Sequence, residues 1–367
     1  MQQARHKFTV TSRACLAIIA ISASAHPLDN WPVQSTNFFS AVVFGHGLFV
    51  AAGPSGTMLT SADGAAWAAH PLPVAPYLRA VASGPNGFVA VGYSGAILSS
   101  PDGTNWTGRS SGTTANLLSL NYGNGVFVAA GEAFVLLTSS DGVNWASQVA
   151  PSWFSPWFLA YGNHLFLLEA SSGTNLISSD GTNWVSAPSG SPDALYTTGF
   201  GDGVFLSIDT RKKVFTSPDG TNWIQRGKVA TTRPGPIAYG NGHFVIGGAG
   251  PLEYSRDGTS WVVSTNGGGF YRDPTIAFGN GVFVAGGYYD GIRRSDPVVL
   301  LQPEGLGGLR IFGTAGRTYA VECQESLQIS APWLAVTNIT LLTSPYSWTG
   351  DPSSNTSCRF FRARLLP

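Results

Sequence analysis

Short apolar runs and tight polar turns alternate along the central part of the chain. Leu117-Leu118-Ser119-Leu120-Asn121-Tyr122 leads into Gly123-Asn124-Gly125, and Val126-Phe127-Val128-Ala129-Ala130 leads out of it. Asn-Gly between apolar runs is a strong hairpin signal, because both central residues of that turn must accept positive φ. Another apolar run, Val135-Leu136-Leu137-Thr138, precedes an Asp-Gly turn and a run that begins near Trp145. The pattern predicts four short antiparallel strands.

Two turn motifs repeat along the chain at a nearly constant period. The first is Ser100-Pro101-Asp102-Gly103-Thr104-Asn105-Trp106 and its variants, and its aspartates are Asp63, Asp102, Asp141, Asp180, Asp219 and Asp257. These aspartates are 39 residues apart four times and then 38 apart. The second motif is the Asn-Gly type of turn, whose first glycines are 39 residues apart at every step, at positions 45, 84, 123, 162, 201, 240 and 279. A fixed period indicates a repeat architecture, here with seven units.

Four strands in each repeat of about 40 residues are typical of a propeller blade. We therefore predict an all-β fold, a seven-bladed β-propeller. The seventh unit reads Gly291-Ile292-Arg293-Arg294-Ser295-Asp296 and then lacks the Gly-x-x-Trp that begins a fourth strand, whereas Asn30-Trp31-Pro32-Val33-Gln34-Ser35 precedes the first unit. The amino-terminal segment is therefore predicted to be the outer strand of blade seven and to close the ring.

The period ends after Pro297, which predicts three segments. Residues 1–25 have basic residues, the apolar run Ala14-Cys15-Leu16-Ala17-Ile18-Ile19-Ala20-Ile21 and then Ala23-Ser24-Ala25, the order of a secretory signal peptide that is cleaved near Ala25. The apolar run is too short to span a bilayer, so we expect an exported mature chain without a transmembrane segment. Residues 26–297 form the propeller. Residues 298–367 alternate β-rich runs with Gly and Pro turns, which predicts a small β-sandwich.

Composition and charge exclude several classes of function. Charged residues make up 11% of the 367 residues, against roughly 25% in an average soluble domain. Loss of the signal peptide would remove three bases and leave 17 basic and 20 acidic residues, a net charge of −3. This balance does not predict binding to nucleic acid or to anionic lipid. We expect a monomer without a cofactor.

Two cysteines, Cys323 and Cys358, remain after Cys15 leaves with the signal peptide. In an exported chain an even pair predicts a disulfide, and closing that loop would contribute about 4 kcal/mol in the chain-entropy account. Two unpaired buried thiols are the alternative.

The Ser-x-Asp-Gly-x-x-Trp motif resembles the Asp-box of sialidase-type (BNR) repeats. The resemblance covers the six motifs and, through their spacing, roughly residues 30–297. Here Gly follows Asp directly, as in Asp219-Gly220-Thr221-Asn222-Trp223, whereas the usual box separates the two by one residue. The repeats are also similar to those of exported propellers that assist photosystem II assembly. The resemblance implies that the box is a structural hairpin and not a catalytic element.

Turn chemistry supports the same role for the six box aspartates. A short carboxylate that enters a tight turn accepts hydrogen bonds from the backbone N–H groups of that turn, and the following Gly supplies positive φ. The Trp buries its ring against the hairpin or the next blade. With one aspartate in each blade, the carboxylates are too dispersed to share an ion, so we predict no metal site.

Ligand binding is expected on the opposite face. In a four-stranded meander, the connections from strand 2 to strand 3 and from blade to blade lie together, and there the units diverge. Aromatic side chains beside a few polar groups suit a sugar or peptide site. The candidates are Tyr93, Trp153, Trp157, Glu169, Asp209, Arg211, Tyr271, Arg272, Tyr288 and Tyr289. The alternative is that Trp153 and Trp157 cover a blade edge and that Arg211-Lys212-Lys213 is a solvated loop.

Two functions follow from this reading. The first is an exported non-catalytic scaffold that binds a protein or a glycan on the divergent face. The second is a sialidase-like glycoside hydrolase, which requires an arginine cluster, a Tyr/Glu nucleophile pair and an acid/base Asp. Tyr288 or Tyr289 is a candidate nucleophile, but no sialidase arginine motif is present and sialidases have six blades. No H-E-x-x-H, G-x-S-x-G or P-loop motif is present either, so no catalytic residue is assigned.

Overall fold

The structure of the protein is a computed structural model. It describes residues 27–72, 74–149, 158–169, 173–267, 272–288, 291–298, 300–304, 308–312, 318–324, 334–341, 346–348 and 360–365. The predicted signal peptide lies outside these residues. The described chain divides into two compact units after Val298.

The first unit is built from seven four-stranded antiparallel sheets, which are the blades. After β1 (Val33–Ser35), blade 1 contains β2 (Ala41–Gly45), β3 (Leu48–Ala52), β4 (Met58–Ser61) and β5 (Ala68–Ala69). Blade 2 contains β6 (Leu78–Gly84), β7 (Gly87–Gly92), β8 (Ile97–Ser100) and β9 (Thr107–Arg109). Blade 3 contains β10 (Leu117–Gly123), β11 (Val126–Gly131), β12 (Leu136–Ser139) and β13 (Ala146–Gln148). Blade 4 contains β14 (Leu159–Gly162), β15 (Leu165–Glu169), β16 (Thr174–Ser178) and β17 (Val185–Pro188).

The remaining blades follow the same order. Blade 5 contains β18 (Leu195–Gly201), β19 (Val204–Asp209), β20 (Lys213–Ser217) and β21 (Ile224–Lys228). Blade 6 contains β22 (Arg233–Gly240), β23 (His243–Ala249), β24 (Glu253–Ser255) and β25 (Val262–Val263). Blade 7 contains β26 (Arg272–Gly279), β27 (Val282–Tyr288) and β28 (Gly291–Arg294), with β1 at its edge. Three short 3-10 turns are η1 (Pro27–Asp29), η2 (Pro54–Gly56) and η3 (Tyr93–Gly95).

The first strands of the blades are neighbours around the ring. β2, β6, β10, β14, β18, β22 and β26 contact one another in that order, and β26 contacts β2. The seven-bladed propeller that the repeat period predicts is therefore confirmed.

Each blade buries side chains on both faces, because alternate residues of a strand point to opposite sides of the sheet. The seam between blades 3 and 4, for example, contains Val128, Ala130, Leu136, Leu159 and Leu168. One phenylalanine near the start of every second strand is no more than 2% exposed: Phe49, Phe88, Phe127, Phe166, Phe205, Phe244 and Phe283. The core of the unit is thus a ring of apolar seams between successive blades.

The first strand of each blade ends in a glycine, and the packing of the next blade leaves no room for a side chain there. A Cβ added to Gly162 would stand 2.0 Å from a ring atom of Phe200, and one added to Gly240 would stand 2.0 Å from Phe278. Because these aromatic rings lie directly on the glycine, no larger residue fits without moving the blade. The sequence spacing located these glycines, but the aromatic ring above each one is a property of the assembled ring.

The asparagines of the Asn-Gly turns join each blade to the next. Asn124 and Asn163 take positive φ, at 46° each, as the turn type requires. In addition, Asn124 Nδ2 donates hydrogen bonds to the carbonyls of His164 and Ser179 of blade 4, at 2.8 and 2.7 Å. Asn163 repeats this contact with Gly203 and Pro218 of blade 5. The turn residue is therefore also an interblade clamp.

The amino-terminal segment closes blade 7. β1 pairs antiparallel with β28, with Val33 opposite Arg293, which is the ring closure that the sequence predicts. Trp31 is 2% exposed and packs in the seam between blades 6 and 7. Its Nε1 donates to the carbonyl of Leu28 at 2.7 Å.

The second unit contains two three-stranded sheets. One has the order β29-β30-β33 and the other β32-β31-β34, with β29 (Leu300–Glu304), β30 (Gly308–Phe312), β31 (Thr318–Gln324), β32 (Leu334–Thr340), β33 (Tyr346–Trp348) and β34 (Phe360–Leu365). Their arrangement as a β-sandwich stays a prediction.

Candidate functional site

The six box turns use their carboxylates within the hairpin. In blade 2, Asp102 Oδ1 accepts hydrogen bonds from the backbone N–H groups of Thr104 and Asn105 at 2.8 and 2.9 Å. Asn105 Nδ2 donates to Asp102 Oδ2 at 2.7 Å, and Trp106 Nε1 donates to the Gly103 carbonyl at 2.9 Å. These bonds, with the backbone N–H of Asn105 first among them, hold the pKa of Asp102 well below its usual range. Both carboxylate oxygens are thus occupied by the turn itself.

The other boxes repeat this geometry. One Oδ1 accepts two backbone N–H groups at 2.8 to 3.1 Å in the turns of Asp63, Asp141, Asp180, Asp219 and Asp257. Across the described part of the chain, no three His, Cys, Asp or Glu side chains lie together in a cluster. The box face therefore offers turns that differ little from blade to blade.

The opposite face carries an exposed aromatic pair on blade 2. Tyr93 begins η3 in the loop between β7 and β8, and its ring stacks on that of Tyr77 with centroids 4.7 Å apart and planes at 15°. The backbone N–H of Tyr93 donates to the Tyr77 carbonyl at 2.9 Å. Tyr93 is 39% exposed. The stack fixes both rings and leaves one of them open to solvent.

A side-chain bridge joins this loop to blade 3. Asn116 Oδ1 accepts the backbone N–H of Ser94 at 2.9 Å, and Asn116 Nδ2 donates to Glu132 Oε2 at 2.9 Å. The backbone N–H of Glu132 donates to the Asn116 carbonyl at 2.8 Å. The 2-to-3 loops of blades 2 and 3 are therefore held in one rigid arrangement.

Phe134 occupies an unfavourable backbone position in the blade 3 loop. Its φ is 61°, and the residues at the same repeat position in blades 1 and 2 are Gly56 and Gly95, with φ of 70° and 69°. A bulky residue in the left-handed region costs roughly 1 kcal/mol or more, which glycine does not. Phe134 is nevertheless 44% exposed, so its ring gains little from burial. We call Tyr77, Tyr93, Asn116, Glu132 and Phe134 the blade 2/3 face.

A groove adjoins this face between blades 2 and 3. One part has a volume of about 520 Å³ and is lined by Ser111, Thr113, Asn144 and Trp145 among others. The adjoining part, of about 620 Å³, is lined by Ser94, Gly95, Arg109 and Ser110–Thr114. Hydroxyl-bearing residues of the connection from blade 2 to blade 3 thus line an open, shallow surface beside the loop of Tyr93.

Arg109 lines this groove and also makes a hydrogen bond within its own blade. Its Nε donates to Ser99 Oγ at 2.8 Å, and Arg226 donates to Thr216 in the same way at the same repeat position of blade 5. That bond belongs to the blade and involves only the Nε of Arg109. Guanidinium groups favour anionic partners, so Arg109 gives the groove a preference for an acidic group.

Two of the predicted binding residues are buried. Glu169 and Asp209, which sequence reasoning placed on the divergent face, are 2% and 0% exposed. Burial raises the pKa of Glu169 to about 8, against the opposing hydrogen bond from Thr198. Asp209 accepts hydrogen bonds from Ser191 Oγ at 3.0 Å and from two backbone N–H groups of its own loop. They end the second strands and face the adjacent blade, so a ligand on the surface does not contact either carboxylate.

Arg211 is an exposed residue of the blade 5 loop. Its side chain is 69% exposed and its Nε lies 3.1 Å from Asp193 Oδ2. An exposed pair of this kind is worth little to stability, and it leaves the guanidinium accessible.

Other predicted site residues cannot be placed. Arg272 and Tyr288 are backbone partners at the ends of β26 and β27. Trp153, Trp157, Tyr271 and Tyr289 lie outside the described residues, as does Cys358 and therefore the predicted disulfide with Cys323.

Sequence reasoning missed Tyr77, Asn116 and Phe134. The sequence contains an indication for Phe134, because blades 1 and 2 have glycine at the equivalent repeat position. Tyr77 and Asn116 belong to interblade loops of unequal sequence, and only the folded chain places them beside the 2-to-3 loops. Among the described residues, no helix has the length and apolar character of a membrane span.

The fold is shared with several solved structures. YCF48 bound to D1 peptide superposes with a TM-score of 0.58 at 19% identity, covering 77% of this chain and 99% of that one. A catalytically inactive virginiamycin B lyase from Staphylococcus aureus with quinupristin has a TM-score of 0.63 at 11% identity, covering 73% and 100%. PorZ, a surface component of the type-IX secretion system of Porphyromonas gingivalis, has a TM-score of 0.57 at 13% identity, covering 90% and 59%. At these identities the likeness concerns the fold alone.

No protein-family model and no curated protein sequence matches the chain. The fold and the site together define a seven-bladed β-propeller with one face of uniform box turns and one face of divergent loops. The propellers that it resembles include binding proteins and an enzyme, so its function has to be argued from its own residues.

Proposed function

We propose that this protein is an exported, non-catalytic propeller that binds a segment of another protein on the blade 2/3 face. The observation that carries the proposal is the Tyr77–Tyr93 stack, which holds an aromatic ring 39% exposed at the edge of a groove. Rigid aromatic side chains lose little conformational entropy on binding and dominate the energy of many protein interfaces.

Phe134 supports the same face. A phenylalanine that is both backbone-strained and exposed is not retained for stability, since glycine serves blades 1 and 2 at that position. Strain of this kind concentrates at functional sites. Asn116 ties the loop of Phe134 to the loop of Tyr93, so the two aromatic side chains are presented by one rigid support.

The groove suits an extended polypeptide. Its lining includes the exposed residues Ser110 and Thr114, which suit a polypeptide backbone, and Arg109, whose charge suits an acidic side chain. YCF48, which shares the fold, was solved with a D1 peptide, and this supports the proposal only by analogy of fold. A glycan is the other ligand compatible with aromatic and hydroxyl groups, and it is an outcome of the test below.

The glycoside-hydrolase alternative receives less support. Glu169 and Asp209, two of the acidic residues available near the divergent face, are buried and do not reach a surface ligand. A panel of sialosides and aryl glycosides offered to the purified chain is expected to show no turnover above background. Hydrolysis that Tyr288→Phe or Tyr289→Phe abolishes would establish the enzyme instead.

Site-specific crosslinking tests the binding proposal. A photoreactive phenylalanine analogue placed at Tyr93 should capture a defined protein from the native envelope, and the same analogue at Ile224, an exposed residue on outer strand β21, should not. A synthetic peptide of the captured segment should then lose at least about tenfold in affinity to Tyr93→Ala. Equal capture at both positions, or binding to a glycan array instead of to the peptide, would contradict the proposal.

Export is a second part of the proposal. We infer that residues 1–25 direct export and that cleavage near Ala25 leaves Pro27 and η1 at the start of the folded chain. Mass spectrometry of the protein from culture medium, periplasm and cell surface would locate it and identify its first residue. A full-length cytoplasmic product would contradict export without touching the binding proposal.

A further inference from the structure

The seam between blades 4 and 5 has a polar interior. Glu169 on β15 and Asn175 on β16 are cross-strand partners on the face of blade 4 that packs against blade 5. Thr198 on β18 and Ser207 on β19 are cross-strand partners on the facing side of blade 5. Thr198 Oγ1 hydrogen-bonds to Glu169 Oε1 and to Ser207 Oγ, which brings the side chains together. We call these four residues the 4/5 polar cluster.

Each position of the 4/5 polar cluster has an equivalent residue in each of the other six blades. At the position of Glu169 the other blades have Ala52, Val91, Ala130, Ile208, Gly247 and Gly286. At the position of Asn175 they have Met58, Ile97, Leu136, Val214, Leu252 and Ile292. At the position of Thr198 they have Val42, Val81, Leu120, Leu159, Ile237 and Ile276. At the position of Ser207 they have Ala51, Ala90, Ala129, Leu168, Ile246 and Ala285.

These positions form the apolar core of the other seams. In the seams 1/2, 2/3 and 3/4 all four residues belong to the buried apolar cluster. In seam 4/5 that cluster is reduced to Ala160, Leu167 and Phe205 with their neighbours. Seam 4/5 therefore departs from the apolar pattern of the other seams at four neighbouring positions. Local departures of this kind from an otherwise consistent pattern are expected at functional sites.

The cluster is buried, and several of its polar atoms lack a hydrogen-bond partner among the described residues. Glu169 is 2% exposed and Asn175 is 0% exposed. Glu169 Oε2 and both amide atoms of Asn175 have no hydrogen-bond partner within the described chain. Leaving such groups unsatisfied costs about 1 to 3 kcal/mol each, so native proteins rarely do so. These atoms therefore require a partner that the described part of the chain does not supply.

Within the described residues, the charge of Glu169 also has no basic counterpart. Among the described residues, no basic side chain forms an ion pair or hydrogen bond with it. Asp209, the next residue of β19 on the same face after Ser207, is acidic and is already bonded to Ser191 and its own loop. An ionised carboxylate buried in this way requires a positive partner or a proton.

We propose that the 4/5 polar cluster binds a monovalent metal cation, K⁺ or Na⁺, between blades 4 and 5. Its ligands are Glu169, the Asn175 carbonyl oxygen and the hydroxyls of Thr198 and Ser207, all hard oxygen donors. One monovalent ion balances the single carboxylate of the 4/5 polar cluster, while the nearby Asp209 carboxylate already accepts hydrogen bonds from Ser191 and its own loop. This site is separate from the blade 2/3 face and does not depend on the proposed function.

Thermal unfolding in matched salts tests the site. The chain is melted in KCl, NaCl or choline chloride at the same ionic strength of about 0.15 M, because choline is too large to enter the seam. At pH about 9 we expect K⁺ or Na⁺ to raise Tm by about 3 °C over choline, because a ligand that binds only the folded state stabilises it. At pH about 6 the difference should shrink, since the proton competes for Glu169.

Two variants separate ion binding from a general salt effect. Glu169→Gln keeps the shape but removes the charge, and it should melt equally in all three salts. Asp202→Asn, which changes a carboxylate on an exposed turn residue of blade 5, should keep the full difference between salts. The combined variant Glu169→Ala, Asn175→Leu, Thr198→Val and Ser207→Ala rebuilds the apolar seam, and it should fold without any response to the ion.

Equilibrium dialysis against Rb⁺ measures binding directly. Wild-type protein should retain a single Rb⁺ per chain in choline buffer, displaced by K⁺ or Na⁺, and Glu169→Gln should retain none. Equal melting of the wild type in all three salts, Rb⁺ retained by Glu169→Gln, or a response to Ca²⁺ alone would overturn the proposal.

Discussion

Asn30 Nδ2 donates a hydrogen bond to Asp296 Oδ2 at 2.9 Å, although 266 positions separate the two residues. The same bond runs from Asn105 Nδ2 to Asp102 Oδ2 inside the box of blade 2. Trp31 likewise bonds the carbonyl three residues before it, as Trp106 does. The seventh box is thus divided between the two ends of the propeller and re-forms when the ring closes.

Deleting residues 28 to 36 should destabilise the propeller strongly. The deletion removes β1 and the buried ring of Trp31, and it exposes the edge of β28. We expect Tm to fall by about 10 °C or more in a circular dichroism melt, since losing a buried Trp alone costs about 3 to 5 kcal/mol. Asn30→Ala, which removes one exposed bond, is the control and should lower Tm by no more than ~3 °C. An unchanged Tm for the deletion would show that the closure is dispensable.

Asn124→Gly should weaken the contact between blades 3 and 4. Glycine accepts the positive φ of this turn, so the change removes only the side-chain contacts of Asn124 with blade 4. These include the two hydrogen bonds from its Nδ2 and the one that its Oδ1 accepts from the Tyr161 hydroxyl at 2.6 Å. We expect a loss of about 1 to 2 kcal/mol in the free energy of unfolding, measured by urea titration.

Asp202→Asn provides the converse test. Asp202 has the same turn position in blade 5, where a carboxylate cannot donate to blade 6. The asparagine should therefore raise stability, by about 0.5 to 1.5 kcal/mol. A loss of stability in this variant would show that the clamp does not transfer between blades.

Phe134→Gly should stabilise the chain and weaken partner binding together. Glycine removes the cost of positive φ at this position, and we expect Tm to rise by about 2 to 4 °C. Phe134→Ala removes the same ring but keeps the strained backbone, so it should lose binding without the gain in Tm. If both variants melted alike, the strain assigned to Phe134 would be wrong.

Glu169 should make stability fall as pH rises. Its folded pKa is raised to about 8 by burial, so its contribution is complete below the unfolded value of 4.5 and is lost as pH rises to about 8. Measured in choline buffer, the free energy of unfolding should decline across this window by at most about 1.4 kcal/mol per pH unit. Glu169→Gln should flatten the profile, and an identical decline in that variant would assign it to another group.

Asp102 should make stability fall as the pH becomes acidic. Its hydrogen bonds lower the folded pKa below the unfolded value of 3.8, so its contribution is present above that value and is lost as pH falls below it. Tm should therefore drop below about pH 4, where Asp102→Asn should lose less than the wild type does. A parallel drop in both proteins would place the acid sensitivity elsewhere.

Only part of the proposed site follows from the sequence. Tyr93 and the divergent loops are predicted as ligand-binding because those loops vary while the turns of the other face do not, and this stays a prediction. Glu169 and Asp209 looked like surface ligands, yet each ends a strand with its side chain facing the neighbouring blade. The orientation at a strand end depends on a register that the loop sequence does not reveal.

The sequence by itself determined the seven blades, the box turns and the closing strand. A period of 39 residues with fixed turn glycines repeats one local structure, and local structure is what turn residues specify. The tertiary structure alone decided what each blade contacts: the clamp of Asn124 on blade 4, the stack of Tyr77 on Tyr93, and the meeting of Glu169 with Thr198. These contacts join residues that are not neighbours in the chain, and they exist only when the ring places one blade against the next.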